Sequence, residues 1–341
     1  MSQRIFFYDV VRVVACLMVV IMHSPMPSER IIGPFTYGLT YLTMPCIGLF
    51  FTVSGALLLP VGGQDTMQFV GRRVRKFITP VLVWTAVYLT ARCITPGMTV
   101  AELVRAVLSV PFSRQEGVLW FMYALTGLYL IAPVVSPWLV RQDARTLRFY
   151  LGLWAVSLLF PYIQPFVTTD TTAYSLYYYT SGFAGYFILG FYLRRFGTRL
   201  RALPAVGGVI LMLLLPVVYK KLLEPTGLRF GEVLWYLSLD SAVLVVLWWN
   251  ALRPLAARLE RIPMVRRAVT GASNLSFGVY LSHLLIMRQG IWRMPFVAGI
   301  QNYIVQTAAV ILLTIALSFL FCRLVSLTPL GRAVVGCGRG T

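Results

Sequence analysis

The sequence predicts an all-α fold, a polytopic membrane helix bundle with about ten transmembrane helices and with both termini in the cytoplasm. Of its 341 residues, 58% are hydrophobic and only 12% are charged, and the mean hydropathy is +0.77. Soluble proteins carry roughly 25% charged residues, so an ordinary soluble enzyme is excluded. Apolar runs of membrane-spanning length recur along the chain, and basic residues concentrate in alternate connections between them.

The apolar runs set the domain organisation. A spanning helix needs roughly 20 predominantly apolar residues. Segments that fit this template lie at approximately 5–24, 38–60, 77–95, 118–138, 149–166, 177–194, 205–223, 232–252, 274–290 and 302–326. The connections are short, so we expect a single transmembrane domain over residues 1–330, followed by a short basic cytoplasmic tail over residues 331–341.

The first apolar run has some features of a signal peptide, because its uncharged core is short. No small-x-small cleavage site follows it, and Asp9 and Arg12 lie within the apolar stretch. We therefore interpret it as a retained first helix.

The basic residues indicate how the helices are oriented. The chain holds 30 Lys and Arg against 11 Asp and Glu. Most of the basic residues lie at the N-terminus, in the connections 61–76, 139–148, 194–204 and 253–273, and near the C-terminus, and about half as many lie in the opposite set. The positive-inside rule places the richer set in the cytoplasm. This segregation explains the net charge of +19 through topology and contact with membrane lipid, so no nucleic acid partner is expected.

Cysteine and histidine usage argues against a disulfide framework and against a metal site. The five cysteines are odd in number and scattered, and none forms a CxxC pair. The two histidines, His23 and His283, lie on distant segments and make no ligand cluster.

The first predicted helix carries an acid, a base and a histidine. Arg12 and His23 are eleven residues apart, so they return to nearly the same face, about 16 Å apart along the axis. Asp9 lies one turn before Arg12, within reach of an ion pair. Ionisable groups in a bilayer normally face a bundle interior or a water-filled cavity, so this face is predicted to line one. A structural Asp9–Arg12 pair with an interfacial histidine is the alternative.

The segment YDVVRVVACLMVVIMH (residues 8–23) resembles the opening of the integral-membrane acyltransferase type 3 family, in which an arginine and a histidine are separated by ten residues. Four further segments resemble motifs of that family in the same order. They are FFTVSGALL (50–58), RRVRKFITPVLVW (72–84), LWFMYALTGLYLIAPVV (119–135) and FGVYLSHLLI (277–286).

This resemblance implies transfer of an acyl group from cytoplasmic acyl-coenzyme A, a donor substrate rather than a permanently bound cofactor. Arg72 and Arg75 stand in the family's Arg-x-x-Arg positions, and guanidinium groups bind phosphate in bidentate fashion. We expect them to bind the coenzyme A phosphates, although basic residues beside a cytoplasmic helix end also satisfy topology alone. The acyl-bearing arm is expected to enter past Arg12.

His23 is the best candidate for the catalytic base, because imidazole titrates near neutral pH and can take a proton from an attacking hydroxyl. A carboxylate, from Asp9 or Glu116, is the candidate to orient it or share the work. Many relatives carry a histidine directly before Leu-Trp-Phe, and this chain has Val118 there instead. That departure weakens any scheme that needs a second histidine at this point.

His283 lies in a family motif in the middle of a predicted helix. It is a candidate to stabilise the acyl carbonyl, with a structural hydrogen bond as the alternative. Asp240 is a second intramembrane acid that can partner an arginine or a polar headgroup. Ser54 lacks the G-x-S-x-G elbow of a nucleophile, so Ser54 and Gly55 indicate close helix packing instead.

The resulting hypothesis is an O-acyltransferase of the bacterial inner membrane that moves an acetyl or succinyl group to a hydroxyl of a lipid-linked or exported glycan. A glycan or lipid transporter without acyl-transfer activity is the main alternative, because ten helices with a charged face suit a permeation route equally well. A noncatalytic assembly subunit is a third reading. The sequence does not predict the oligomeric state.

Overall fold

The computed structural model describes residues 4–26, 34–62, 65–94, 99–110, 117–163, 180–222, 224–226 and 236–336. Every regular element within these ranges is helical, as predicted. The α-helices of the described residues are α1 (Phe6–His23), α2 (Pro34–Thr43), α3 (Cys46–Leu58), α4 (Thr66–Ile94), α5 (Val100–Ser109), α6 (Trp120–Arg141), α7 (Ala144–Ser157), α8 (Phe160–Ile163), α9 (Ala184–Arg195), α10 (Ala202–Leu222), α11 (Leu239–Glu260), α12 (Pro263–Leu285), α13 (Pro295–Ala298), α14 (Tyr303–Val325) and α15 (Pro329–Val334).

Six segments of the described chain are long and apolar enough to cross a membrane. They are Phe6–His23, Gly38–Leu58, Gly117–Arg141, Ala144–Ile163, Leu239–Glu260 and Tyr303–Val325. The segment Leu239–Glu260 corresponds to the predicted span 232–252, and its helix begins at Leu239 instead of near residue 232. The other four predicted spans, and the orientation of the termini, stay predictions. One of the four, 205–223, overlaps a shorter apolar helix at Ala202–Val218.

The chain divides into two compact units, and each is built from two stretches of sequence. The first contains Met1–Val61 and Val135–Ser273, and the second contains Gly62–Val134 and Asn274–Thr341. The first of the three divisions falls between α3 and α4, and the other two fall within α6 and α12. Residues 329–336, which include the start of the predicted tail, are folded within the second unit.

The first unit is organised around the crossing of α3 and α9, which make its most extensive contact. Two glycines allow the backbones to approach. A Cβ atom on Gly55 would lie 1.8 Å from the carbonyl oxygen of Phe187, and one on Gly190 would lie 1.8 Å from that of Thr52. Small residues at such crossings are typical of membrane helices, since close van der Waals packing replaces the hydrophobic effect there. The packing role predicted for Gly55 is confirmed.

Helix α1 packs against α3 and α11 in the same unit. The ring of Phe7 meets that of Trp249 edge to face at 4.9 Å between centroids, and Tyr8 packs on the same indole at 5.9 Å. Trp249 is fully buried. Aromatic pairs of this geometry contribute about 0.5–1.5 kcal/mol beyond their buried area. The N-terminal turn of α1 is therefore held firmly on α11.

The second unit is joined by hydrogen bonds between distant segments. The indole N–H of Trp84 on α4 donates to the carbonyl of Val334 at 3.2 Å, and the Tyr88 hydroxyl donates to the carbonyl of Leu281 at 2.8 Å. Trp84 and Tyr88 are both buried. These bonds attach α4 to the C-terminal helix α15 and to the end of α12.

The glycine crossing generates a stability prediction. Gly190→Ala should lower the free energy of unfolding by about 1–3 kcal/mol, because the added methyl group overlaps backbone that has no room to move. The measurement is the thermal unfolding midpoint in detergent. Gly207→Ala on α10 is the matched control, since a Cβ there meets no atom within 4 Å. Equal midpoints for the two variants would contradict the close approach of α3 and α9.

Candidate functional site

His23 lies in the last turn of α1 and is half-buried. Its Nδ1 is 2.8 Å from the carbonyl oxygen of Val19, one turn earlier. A carbonyl only accepts, so Nδ1 carries the proton in the neutral ring, and Nε2 is the basic nitrogen. The backbone of α1 thus selects a tautomer and ring orientation suited to a general base.

A polar cluster of the first unit adjoins this end of α1. The hydroxyl of Tyr236 donates to the sulfur of Met22 at 3.2 Å, and the hydroxyl of Tyr186 donates to the backbone carbonyl of Tyr236 at 2.7 Å. The hydroxyl of Tyr162 donates to the carboxylate of Asp240 at 2.6 Å. Sequence reasoning identified Asp240 alone. It missed the tyrosines, because isolated tyrosines in apolar runs are also typical of membrane interfaces.

Asp9 is paired with Arg4, which the sequence analysis counted only among the basic residues of the N-terminus. Its carboxylate accepts a bidentate pair of hydrogen bonds from Arg4, with Nε–Oδ2 at 2.6 Å and Nη2–Oδ1 at 2.7 Å, and a further bond from the Ser273 hydroxyl at 2.7 Å. The Asp9–Arg12 ion pair, which the sequence places within reach, stays a prediction. Arg4 precedes the helix, where extended backbone at Ile5 lets its side chain run alongside the first turn. The buried Asp9 carboxylate ties α1 to α12.

Arg12 and His23 lie on one uninterrupted helix, since α1 runs from Phe6 to His23. Their spacing of eleven residues therefore keeps the predicted relation, nearly the same face and about 16 Å of helical rise. Both side chains are half-buried. The catalytic role of His23 and the donor-binding role of Arg12 stay predictions.

Arg72 and Arg75 line a groove of about 630 Å³ in the second unit. The groove follows one face of α4, because its residues there recur at helical spacing. The lining residues that the structure describes are Gln68, Gly71, Arg72, Arg75, Lys76, Thr79, Arg332, Ala333 and Gly336. Arg72 and Arg75 thus share a face of α4 and a concave surface, and the binding of coenzyme A phosphates expected of them stays a prediction.

The groove is strongly electropositive. Four of its nine described lining residues carry a positive charge and none of the nine carries a negative charge. Several like charges around a concave surface reinforce one another's potential and attract anions. Arg73 points elsewhere, since its guanidinium packs over the rings of Phe69 and Tyr129 at 5.7 and 6.0 Å from the centroids. The adjacent residues Arg72 and Arg73 on α4 therefore make different contacts, one in the groove and the other with aromatic rings.

Arg332 is a cationic lining residue that the sequence analysis did not assign to the site. It was counted only among the basic residues that set topology. It belongs to α15, whose N-cap Thr328 accepts a hydrogen bond from the backbone N–H of Gly331 at 3.0 Å. The pattern of a capping threonine followed by proline predicts a helix start. The position of that helix beside α4 depends on tertiary packing.

His283 is fully buried near the end of α12, and the helical path continues beyond it as a π-helical turn over Ile286–Gly290, so the residue lies inside a helical segment as predicted. Its Nδ1 donates to the carbonyl of Tyr280 at 2.7 Å, and the hydroxyl of Tyr280 donates to the carbonyl of Val118 at 2.8 Å. The first bond holds the His283 ring against its own helix, and the second connects α12 to the turn that precedes α6. Its proposed role toward the acyl carbonyl stays a prediction. Glu116 lies outside the described residues.

Comparison with known proteins identifies one family. The family model described as an acyltransferase domain, of type 3, matches residues 5–323, nearly the whole chain. The match includes α1, the Arg72–Arg75 segment and His283. No curated protein and no solved structure matches the chain.

The Asp9 contacts generate a prediction that separates a structural role from a catalytic one. Asp9→Ala should lower the unfolding midpoint, because it removes the acceptor of Arg4 and Ser273. We expect a loss of about 1–2 kcal/mol, at the lower end for a charged hydrogen-bonded pair, since Arg4 is 48% exposed. Arg4→Ala is the matched variant, and the double variant should cost less than the sum of the two.

The same samples are assayed for activity per folded molecule. A structural Asp9 leaves that activity close to the wild-type value. A stable, correctly folded and inactive Asp9→Ala protein would instead restore the catalytic role that the sequence predicts for this residue.

Proposed function

The chain belongs to the acyltransferase type 3 family, and from that premise we propose that it is a membrane O-acyltransferase that uses acyl-coenzyme A as donor. The observation that carries this proposal is the basic groove on α4, where the family's two arginines stand together with two further cations. The adenosine and diphosphate end of coenzyme A is polyanionic, and guanidinium forks match phosphate oxygens.

His23 is the proposed general base. The acceptor hydroxyl attacks the thioester carbonyl carbon, a C–O bond forms and the C–S bond breaks. Nε2 of His23 takes the hydroxyl proton and then returns it to the departing thiolate, so free coenzyme A and an ester are the products. The hydrogen bond from Nδ1 to Val19 supports this role, because it leaves Nε2 as the proton acceptor.

The proposed acceptor is a hydroxyl of a lipid-linked or exported glycan. The tyrosines and Asp240 near the end of α1 support a polyhydroxylated ligand, since phenol and carboxylate groups exchange hydrogen bonds with sugar hydroxyls. Acetyl is the proposed acyl group, with succinyl as the alternative within the family. The proposed location is the bacterial inner membrane, with the donor bound from the cytoplasm.

His23→Ala is the first test. We expect acylated glycan in membranes to fall by at least about a hundredfold, because general base catalysis contributes typically 10²–10⁴. Mass spectrometry of the glycan measures the outcome as the mass of one acyl group per site. The affinity of the purified variant for acyl-coenzyme A should stay unchanged, which excludes misfolding. Full activity in a folded His23→Ala protein would remove His23 from the mechanism.

The second test distinguishes an acyltransferase from a transporter. The double variant Arg72→Ala, Arg75→Ala should weaken coenzyme A binding by about a hundredfold or more, since each lost charge-assisted bond costs roughly 1.5–3 kcal/mol. Isothermal titration measures it. Arg73→Ala is the matched control, because this neighbouring guanidinium packs on aromatic rings outside the groove.

The opposing result is a wild-type protein that does not bind coenzyme A and that moves unmodified glycan across liposomes without a donor. That result would favour the transporter.

A further inference from the structure

The two walls of the basic groove come from elements far apart in sequence. Helix α4 supplies Arg72, Arg75 and Lys76, and α15 supplies Arg332 more than 250 residues later. The cations of α4 lie within about one turn of one another, which suits a compact group such as a diphosphate. A cation from a different element of the groove suits a separate phosphate on the same ligand.

Helix α15 is packed in place, so Arg332 is presented from a rigid element. Trp84 of α4 donates its indole N–H to the carbonyl of Val334. Gly331 lies directly on the carbonyl of Val325, where any Cβ would overlap. Gly336 has a φ of +66°, and the ring of Phe277 occupies the space that its Cβ would need. A side chain held by packed backbone loses little freedom on binding, which favours affinity and discrimination.

Coenzyme A matches this charge arrangement. It carries a diphosphate and, on the ribose, a separate 3′-phosphate, which together bear about four negative charges at neutral pH. The groove offers four positive charges. A donor without the ribose phosphate would leave the α15 wall unused.

We infer that Arg332 binds the ribose phosphate of the donor and that the C-terminal helix α15 is the specificity element that distinguishes coenzyme A from nucleotides with a diphosphate alone. This inference rests on the proposed function, since it assigns the donor to the groove. It also makes residues 329–336 part of the binding site, although the sequence predicts a basic tail from residue 331.

The test compares coenzyme A with dephospho-coenzyme A, which lacks only the 3′-phosphate. Binding is measured by isothermal titration on the full chain in phosphatidylcholine nanodiscs. The wild-type protein should prefer coenzyme A by about tenfold, the effect of one charge-assisted phosphate contact. Arg332→Ala should remove that preference by weakening coenzyme A alone.

Arg323→Ala is the matched control, because this exposed arginine on α14 lies near α15 in sequence but outside the groove. It should keep the wild-type preference. Arg332→Lys should keep part of it, since the charge remains while the bidentate geometry is lost. The unfolding midpoint of each variant checks that α15 stays folded.

The possible outcomes distinguish a failure of the role inferred for Arg332 from a failure of the donor proposal. A wild-type protein that binds both nucleotides equally, or an Arg332→Ala protein that weakens both equally, overturns the role of Arg332 and leaves the donor proposal standing. A wild-type protein that binds neither overturns the donor proposal itself. Repeating the titration with phosphatidylglycerol in the nanodisc identifies a lipid source, since loss of coenzyme A binding there would assign the groove to lipid phosphate and overturn the inference.

Discussion

The structure depends on a single physical constraint, which is that polar groups in an apolar phase must find hydrogen-bond partners within the protein. The buried carboxylate of Asp9 accepts hydrogen bonds from Arg4 and Ser273. Carbonyl groups in the last turns of two helices accept hydrogen bonds from arginines. Arg194 donates to the carbonyl of Ala56 at the end of α3, and Arg195 donates to two carbonyls at the end of α6. Cationic side chains at helix C-termini also interact favourably with the negative end of the helix dipole.

The arginines described above make different kinds of contact. Arg4, Arg194 and Arg195 satisfy acceptors on neighbouring elements, and Arg73 packs on aromatic rings. Three others, Arg72, Arg75 and Arg332, line an open groove instead. Basic residues thereby make different contacts according to what packs beside them. Net charge alone does not reveal which arginine belongs to which group.

The two histidines show the same contrast. Each donates its Nδ1 proton to a backbone carbonyl of the preceding turn, His23 to Val19 and His283 to Tyr280. The two histidines make the same local hydrogen bond, yet their side chains are buried to different extents. His283 is fully buried, whereas His23 is half-buried at the end of its helix beside the tyrosine cluster. A base must reach a substrate, so the difference in exposure supports His23 in that role.

The sequence by itself determined the helical class, the membrane character and the relations within single helices. The common face of Arg12 and His23 and that of Arg72 and Arg75 were predictable, because a helix repeats locally every 3.6 residues. The tertiary structure decided every pairing between elements, including Arg4 with Asp9, the glycine crossing of α3 with α9, and Arg332 opposite α4. Apolar helices have similar surfaces and many possible neighbours, so the choice among them depends on packing of the whole chain.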